Sequence, residues 1–117
     1  MAADIRHMKW WGWGYEDVSF DDSNKPALWP YLKRELEIHE EERTPPVSFK
    51  KIQLPEQKTN EVFCDAIIGV LAKGQIADDK KTRLIHAAGK SFRDLWKLRH
   101  GIVEWAPDCV VFPESEE

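Results

Sequence analysis

Met8-Lys9-Trp10-Trp11-Gly12-Trp13-Gly14 places three tryptophans and two glycines in one short run beside the amino terminus. A tryptophan ring is stable in a protein only when most of it is covered, so this run must lie against something apolar. The glycines let the backbone approach a surface closely or take positive φ. Two arrangements satisfy the requirement: a strap that caps this chain's own core, or a strap that docks on a protein body outside it. The rest of the sequence bears on that choice.

At 117 residues the chain is long enough for one modest core. Hydrophobic residues make up 42% and charged residues 32%, and seven prolines interrupt the pattern, which predicts a loop-rich fold of short elements. A net charge of −4 gives no field that would favour nucleic acid or an anionic membrane. Cys64 and Cys109 each sit in an apolar run, far apart, and read as free thiols in a reducing compartment rather than as a disulfide framework or zinc ligands. No apolar run reaches the ~20 residues of a membrane span, and no signal peptide is present, so the expectation is a cytoplasmic protein.

Asp17, Asp21, Asp22, Ser23 and Asn24 supply turns in an acidic connector. Pro26 then fits a first helical turn, and Leu28, Leu32 and Leu36 predict an amphipathic helix of about four turns ending near Glu42. Glu40, Glu41 and Glu42 oppose the helix dipole, Arg43 offsets them in part, and Thr44-Pro45-Pro46 stops the helix. Val47, Phe49, Ile52 and Leu54 follow as an irregular extended strap, because their spacing slips between Phe49 and Ile52. Thr59 or Asn60 caps the strongest helix of the chain, with Val62, Phe63, Ala66, Ile67, Val70 and Leu71 on one face and Gly74 as its stop. Asp78 or Asp79 opens a short helix running through Leu84, Ile85 and Ala88 to Gly89. Ser91 with Asp94 makes a capping box for another that ends at Gly101.

Cys109-Val110-Val111-Phe112 reads as a buried strand, yet no comparable partner strand precedes it. Glu114-Ser115-Glu116-Glu117 resembles a helix start, so the pattern is that of a strand-helix unit interrupted. The segment Pro107-Asp108-Cys109-Val110-Val111-Phe112-Pro113-Glu114-Ser115-Glu116-Glu117 resembles the opening strand of the FAD-binding domain in vanillyl-alcohol-oxidase-type flavoproteins. Arg83-Leu84-Ile85-His86-Ala87-Ala88-Gly89-Lys90-Ser91-Phe92-Arg93-Asp94-Leu95, with Leu98-Arg99-His100-Gly101, is similar to the segment before that strand in alkyldihydroxyacetonephosphate synthases and their bacterial FAD-linked oxidase relatives. Lys9-Trp10-Trp11-Gly12-Trp13-Gly14 is similar to the tryptophan-glycine signature of the same family.

The resemblance implies a mainly α, irregular helical amino-terminal region with extended straps, ending in the first β-strand of an α+β FAD-binding domain that the sequence does not contain. Residues 1–14 are then the strap, 15–106 the helical region and 107–117 the start of the flavin domain. It also implies FAD in the intact protein and none for this chain alone. The implied reaction is replacement of the acyl group of acyl-dihydroxyacetone phosphate by a long-chain alcohol, or hydride acceptance by the flavin in oxidase relatives. The glycine-rich pyrophosphate loop and the catalytic residues of the family fall outside this sequence, so no catalytic residue is assigned. The resemblance extends to a cytoplasmic or a peroxisomal residence, without a visible targeting signal.

On the residues themselves, Pro113 is a strand terminator or, by resemblance, a border of the FAD site. Arg83, His86, Ser91 and Arg99 are candidates for a substrate or domain-docking surface; His86 otherwise reads as structural, Ser91 as a cap, and Arg83 and Arg99 as members of a solvated basic patch with Arg93 and Lys97. Trp10, Trp11 and Trp13 are the candidate interface. His39 and Arg43 fail the zinc pattern in which a second histidine follows at the fourth position, so no metal is expected. Expected partners are the remainder of the chain's own flavoprotein or another protein surface, with self-association through open strand edges a further outcome and neither nucleic acid nor a membrane span expected. The competing expectation is a stand-alone, tryptophan-rich interaction module.

Overall fold

A computed structural model describes residues 5–39, 42, 44–58 and 60–116, apart from the side chains of Arg6 and Lys73. Glu40, Glu41, Arg43, Thr59 and Glu117, named in the expectations above, lie outside the described residues. The described elements are helices α1 (Leu28–Leu36), α2 (Glu61–Ile68), α3 (Lys80–Ile85) and α4 (Phe92–Arg99), and a sheet of two short strands, β1 (Ile76–Ala77) and β2 (Val110–Val111). The fold is thus mainly helical, as the sequence predicts.

The core is built where the sequence pattern is weakest. Trp10, Ile52, Leu84, Ile85 and Leu98 form its buried centre, with Met8, Val47, Phe49, Leu54 and Val103 packed against it. Four successive residues of α3, Thr82 to Ile85, are buried, so this short helix is covered on every side. Two tethers hold the strap of residues 47–54 against it: Lys80 Nζ donates to the Phe49 carbonyl at 3.0 Å and lies 4.8 Å from the centre of the Phe49 ring. The slip in spacing between Phe49 and Ile52 is a single 3-10 turn, Phe49–Lys51, which turns Ile52 inward to 2% exposure.

The amino-terminal tryptophans form a hairpin over this core. Met8 bridges to Tyr15, and the Lys9 amide donates to the Gly14 carbonyl at 2.9 Å across a turn in which Gly14 takes φ 78°. Trp10 points inward, edge-on to Trp11 and 6.4 Å from Phe49. Trp13 remains 65% exposed.

Two of the expected helices are shorter than their patterns. α1 stops at Leu36 instead of near Glu42, because Glu37 takes the left-handed conformation at φ 53° and its amide turns back to the Lys33 carbonyl. α2 ends at Ile68 with Gly69 as its cap, while Gly74 falls in a separate 3-10 turn, Lys73–Gln75. Neither helix buries a side chain among the described residues. The most apolar helix of the chain therefore lies outside the core. α3 likewise ends at Ile85, short of Ala88 and Gly89.

The caps follow the sequence closely. Asn60 Oδ1 accepts from the Phe63 amide, and Asp79 Oδ1 from the Thr82 amide. Ser91 and Asp94 form the expected capping box, and Gly101, at φ 75°, closes α4. The terminal strand corrects an expectation, because it does have a partner within the chain. Val110 and Val111 pair antiparallel with Ala77 and Ile76. Gln75 anchors that pairing: its carbonyl accepts from the Phe112 amide at 2.8 Å, and its side chain donates to the Phe112 carbonyl at 3.2 Å.

The radius of gyration is 18.6 Å and the principal extents are 59, 32 and 21 Å. A compact domain of this length would have a radius near 13 Å, so the molecule is elongated around a small core.

Three outcomes follow. Leu84, fully buried, should cost about 3 kcal/mol or more when cut to alanine, whereas Val62→Ala on the open face of α2 should change stability by less than about 0.5 kcal/mol in urea denaturation of this chain. Iodide should quench Trp13 readily and Trp10 hardly at all, so Trp13→Phe lowers the quenchable fraction of the fluorescence and Trp10→Phe raises it. Asp79 is held below its ordinary carboxylate value by the Thr82 hydroxyl, against a smaller opposing effect of burial. Its contribution is therefore complete above the unfolded value of 3.8 and is lost as pH falls through the lower folded value. Asp79→Asn should approach wild type in stability between pH 4 and pH 2, and a gap that stays constant over that range would show that the charge does not matter.

Candidate functional site

Three surfaces gather the residues singled out by the sequence. The first is the tryptophan hairpin and the start of α4. Lys90, which the sequence reading passed over as part of a turn, is the pivot: its ammonium donates to the carbonyls of Lys9 at 2.7 Å and Gly12 at 3.3 Å, while its own carbonyl accepts from Trp13 Nε1 at 2.9 Å. Partial burial lowers the Lys90 pKa. Arg99, from the end of α4, donates to the Trp11 carbonyl at 3.3 Å and to the Thr44 carbonyl at 2.7 Å. Trp11, Trp13, Phe92, Trp96 and Arg99 line an open aromatic cleft, with Phe92 77% exposed. Trp10 is not part of that outer face, since it is buried in the core.

The second surface centres on α3 and the terminal segment. Arg83 departs from the exposed basic patch expected of it. It is buried, with Nε donating to the Pro107 carbonyl at 2.6 Å and Nη2 to the Pro55 carbonyl at 3.0 Å. Arg93 is exposed, and Lys97 pairs with Glu104. His86 sits at the end of α3, Nδ1–H donating to the Thr82 carbonyl at 2.8 Å, with its ring edge-on to Phe112 at 6.1 Å. Ser91 spends its hydroxyl on the cap, donating to Asp94 Oδ2 at 2.7 Å and accepting from the Asp94 amide at 3.2 Å. That geometry holds a helix end and provides no base for a nucleophile.

The third surface is a groove between α2 and β2. Phe63, Ile67, Val70, Leu71, Val111 and Pro113 line it, and Val70 and Phe63 are 76% and 49% exposed. Pro113 thus stands at the rim of an apolar groove next to an acidic tail of Glu114 and Glu116. A second cleft beside it is shared by Cys64, Cys109, Asp108 and Trp105.

A dinucleotide needs clustered backbone amides at close approach to its pyrophosphate. Gly14 and Gly74 border open space, Gly89 and Gly101 face Asp94 and Val47, and no two described glycines adjoin. The carboxylates of Glu114 and Glu116 would repel a diphosphate. The described residues therefore do not by themselves make a fit for FAD. Among them no group of three or more His, Cys, Asp or Glu side chains is placed for a metal ion, and no helix is long and apolar enough to cross a membrane.

No family model matches the sequence. Individual proteins do. The chain is 38% identical over 65 residues to alkyldihydroxyacetonephosphate synthase of Trypanosoma brucei brucei, a match covering 56% of this chain and 11% of that protein. It is 34% identical over 99 residues to the synthase of Dictyostelium discoideum, covering 79% of this chain and 16% of that one. With the Caenorhabditis elegans synthase the identity is 31%, covering 93% of this chain and 21% of the relative. Two crystal forms of an alkyldihydroxyacetonephosphate synthase share the fold at TM-scores of 0.80 and 0.81 with 29% and 27% identity; the matches cover 96% and 99% of this chain but 24% of each solved chain. The chain thus spans about a quarter or less of the relatives it matches. By sequence and by fold the chain is similar to one segment of the alkyldihydroxyacetonephosphate synthases.

Proposed function

We propose that this chain is the amino-terminal part of an FAD-dependent enzyme of the alkyldihydroxyacetonephosphate synthase type, in which it braces the flavin-binding domain and is not a catalyst on its own. The uncovered apolar surface of α2 and of the turn after it carries this reading, since Val62, Ile68 and Val70 are 81%, 68% and 76% exposed. Apolar area of that extent marks a surface that other protein covers, and the matched relatives are several times longer than this chain. The elongated shape around a small core supports the same reading.

In this proposal residues 107–117 lead into the flavin domain, and Pro113, at the rim of the groove, borders the FAD site only once that domain is present. His86, with its ring against Phe112, faces the same junction, and the turn at Ser91 adjoins the tryptophan hairpin. Arg83 acts there by fixing backbone, its guanidinium bonded to the Pro107 and Pro55 carbonyls, while Arg99 fixes the tryptophan hairpin and the backbone at Thr44 in the same way. Trp11 and Trp13 offer a second docking face. The reaction of the intact protein is then exchange of an acyl group for a long-chain alcohol on dihydroxyacetone phosphate, or a related flavin oxidation, in the cytoplasm or in peroxisomes. No step of it is drawn through the residues described.

The test compares one substitution in two contexts. Val70→Asp should alter the stability of the isolated chain by less than about 0.5 kcal/mol, but in the full-length enzyme it should cost about 2 kcal/mol or more and reduce flavin retention, because a carboxylate would then be buried. Equal tolerance in both contexts would remove the bracing role. The isolated chain should purify without flavin absorbance; bound flavin, or a cooperatively folding monomer whose full-length counterpart ignores Val70→Asp, would favour a self-contained module.

A further inference from the structure

Cys64 and Cys109 are far apart in sequence, yet both open onto one cleft between α2 and the entry to β2. Both are free thiols and both are half-exposed. The backbone beside them is already drawn together: Gln57 Nε2 donates to the Asp108 carbonyl at 2.7 Å, and the Lys58 amide donates to the Asp108 carboxylate at 2.9 Å. α2 buries no side chain among the described residues, so a small movement of this helix toward β2 breaks no core contact. We propose that Cys64 and Cys109 are a redox pair that closes to an intramolecular disulfide and fastens α2 to β2.

Burial, and after it the negative charges of the Cys64 thiolate, Asp108 and Asp78, raise the Cys109 thiol above its ordinary value. The two sulphurs therefore feel each other's charge across the cleft. Exchange proceeds only through thiolates, so the pair reacts slowly at neutral pH and faster in alkali. The oxidant is a small-molecule disulfide. One cysteine thiolate attacks a sulphur of the oxidant, the oxidant's S–S bond breaks, and a small thiolate leaves; the second cysteine thiolate then attacks the protein-bound sulphur and expels the other small thiolate. Two cysteine thiols are oxidised, the oxidant is reduced to two thiols, and the two cysteine protons end on those products. The bond closes a loop of roughly 45 residues, which restricts the unfolded chain, and it fixes Phe63 and Val111 on opposite walls of the cleft. The inference stands on this geometry and is independent of the enzyme assignment.

The full-length protein is incubated with oxidised glutathione, quenched by alkylation and mapped by mass spectrometry. The expected product is a peptide pair joined through Cys64 and Cys109, formed about tenfold faster at pH 8 than at pH 7 and reversed by dithiothreitol. The thermal midpoint of this chain should rise by about 10 °C on closure, and Cys64→Ser and Cys109→Ser should each abolish both effects. Glutathione adducts without a cross-link, intermolecular dimers alone, or two thiols that remain open to alkylation would each overturn the proposal while leaving the flavin reading untouched.

Discussion

A six-residue helix with four successive buried residues cannot persist alone, because so short a segment gains too few hydrogen bonds to offset its ordering. α3 exists because the segments around it close over all of its faces. Leu84 supplies the apolar contact, and Arg83 the polar one. The two charge-assisted bonds from Arg83 join the end of the middle strap at Pro55 to the start of the terminal segment at Pro107. Bonds of this kind contribute about 1.5–3 kcal/mol each. The guanidinium thus sets where two otherwise irregular stretches run, and with them the approach to β2.

This arrangement explains why so much apolar surface lies outside. The hairpin, the middle strap, α3 and α4 share one small core, and α1 and α2 hang beyond it. In a self-sufficient domain the most apolar helix would be the first to be buried. Here α2 is held at its amino-terminal end, through the Asn60 cap and the Gln57 and Lys58 ties to Asp108, and its face is left open. A segment of a longer synthase-like chain can have this design.

The sequence was most legible where local chemistry decides. Asn60, Asp79 and the Ser91–Asp94 box act through side-chain oxygens within one turn, so their roles follow from spacing. The broken period between Phe49 and Ile52 encoded a real turn. Longer patterns misled, because helix length depends on what the ends meet: α1 ends on a left-handed glutamate that carries no turn signal of its own. Ile76–Ala77 was missed as a strand since two residues have no alternation to read, and its pairing is fixed from outside by Gln75. Lys90 was missed for a similar reason. Its importance lies in carbonyls about 80 residues away, and a half-buried lysine leaves no periodic trace.

Those separations also set an order of assembly. The clasp bonds from Lys90 to Lys9 and Gly12, and from Trp13 to Lys90, span 81, 78 and 77 residues. During synthesis the tryptophans emerge first, and at roughly 5–20 residues per second the lysine that seats them follows about 4–16 seconds later. For that interval Trp10, the ring that the folded core buries, has no native cover, and contacts of such long range are slow to form afterwards. The hairpin can therefore be seated only after the middle strap and α3, the rest of the core that it covers, have been made.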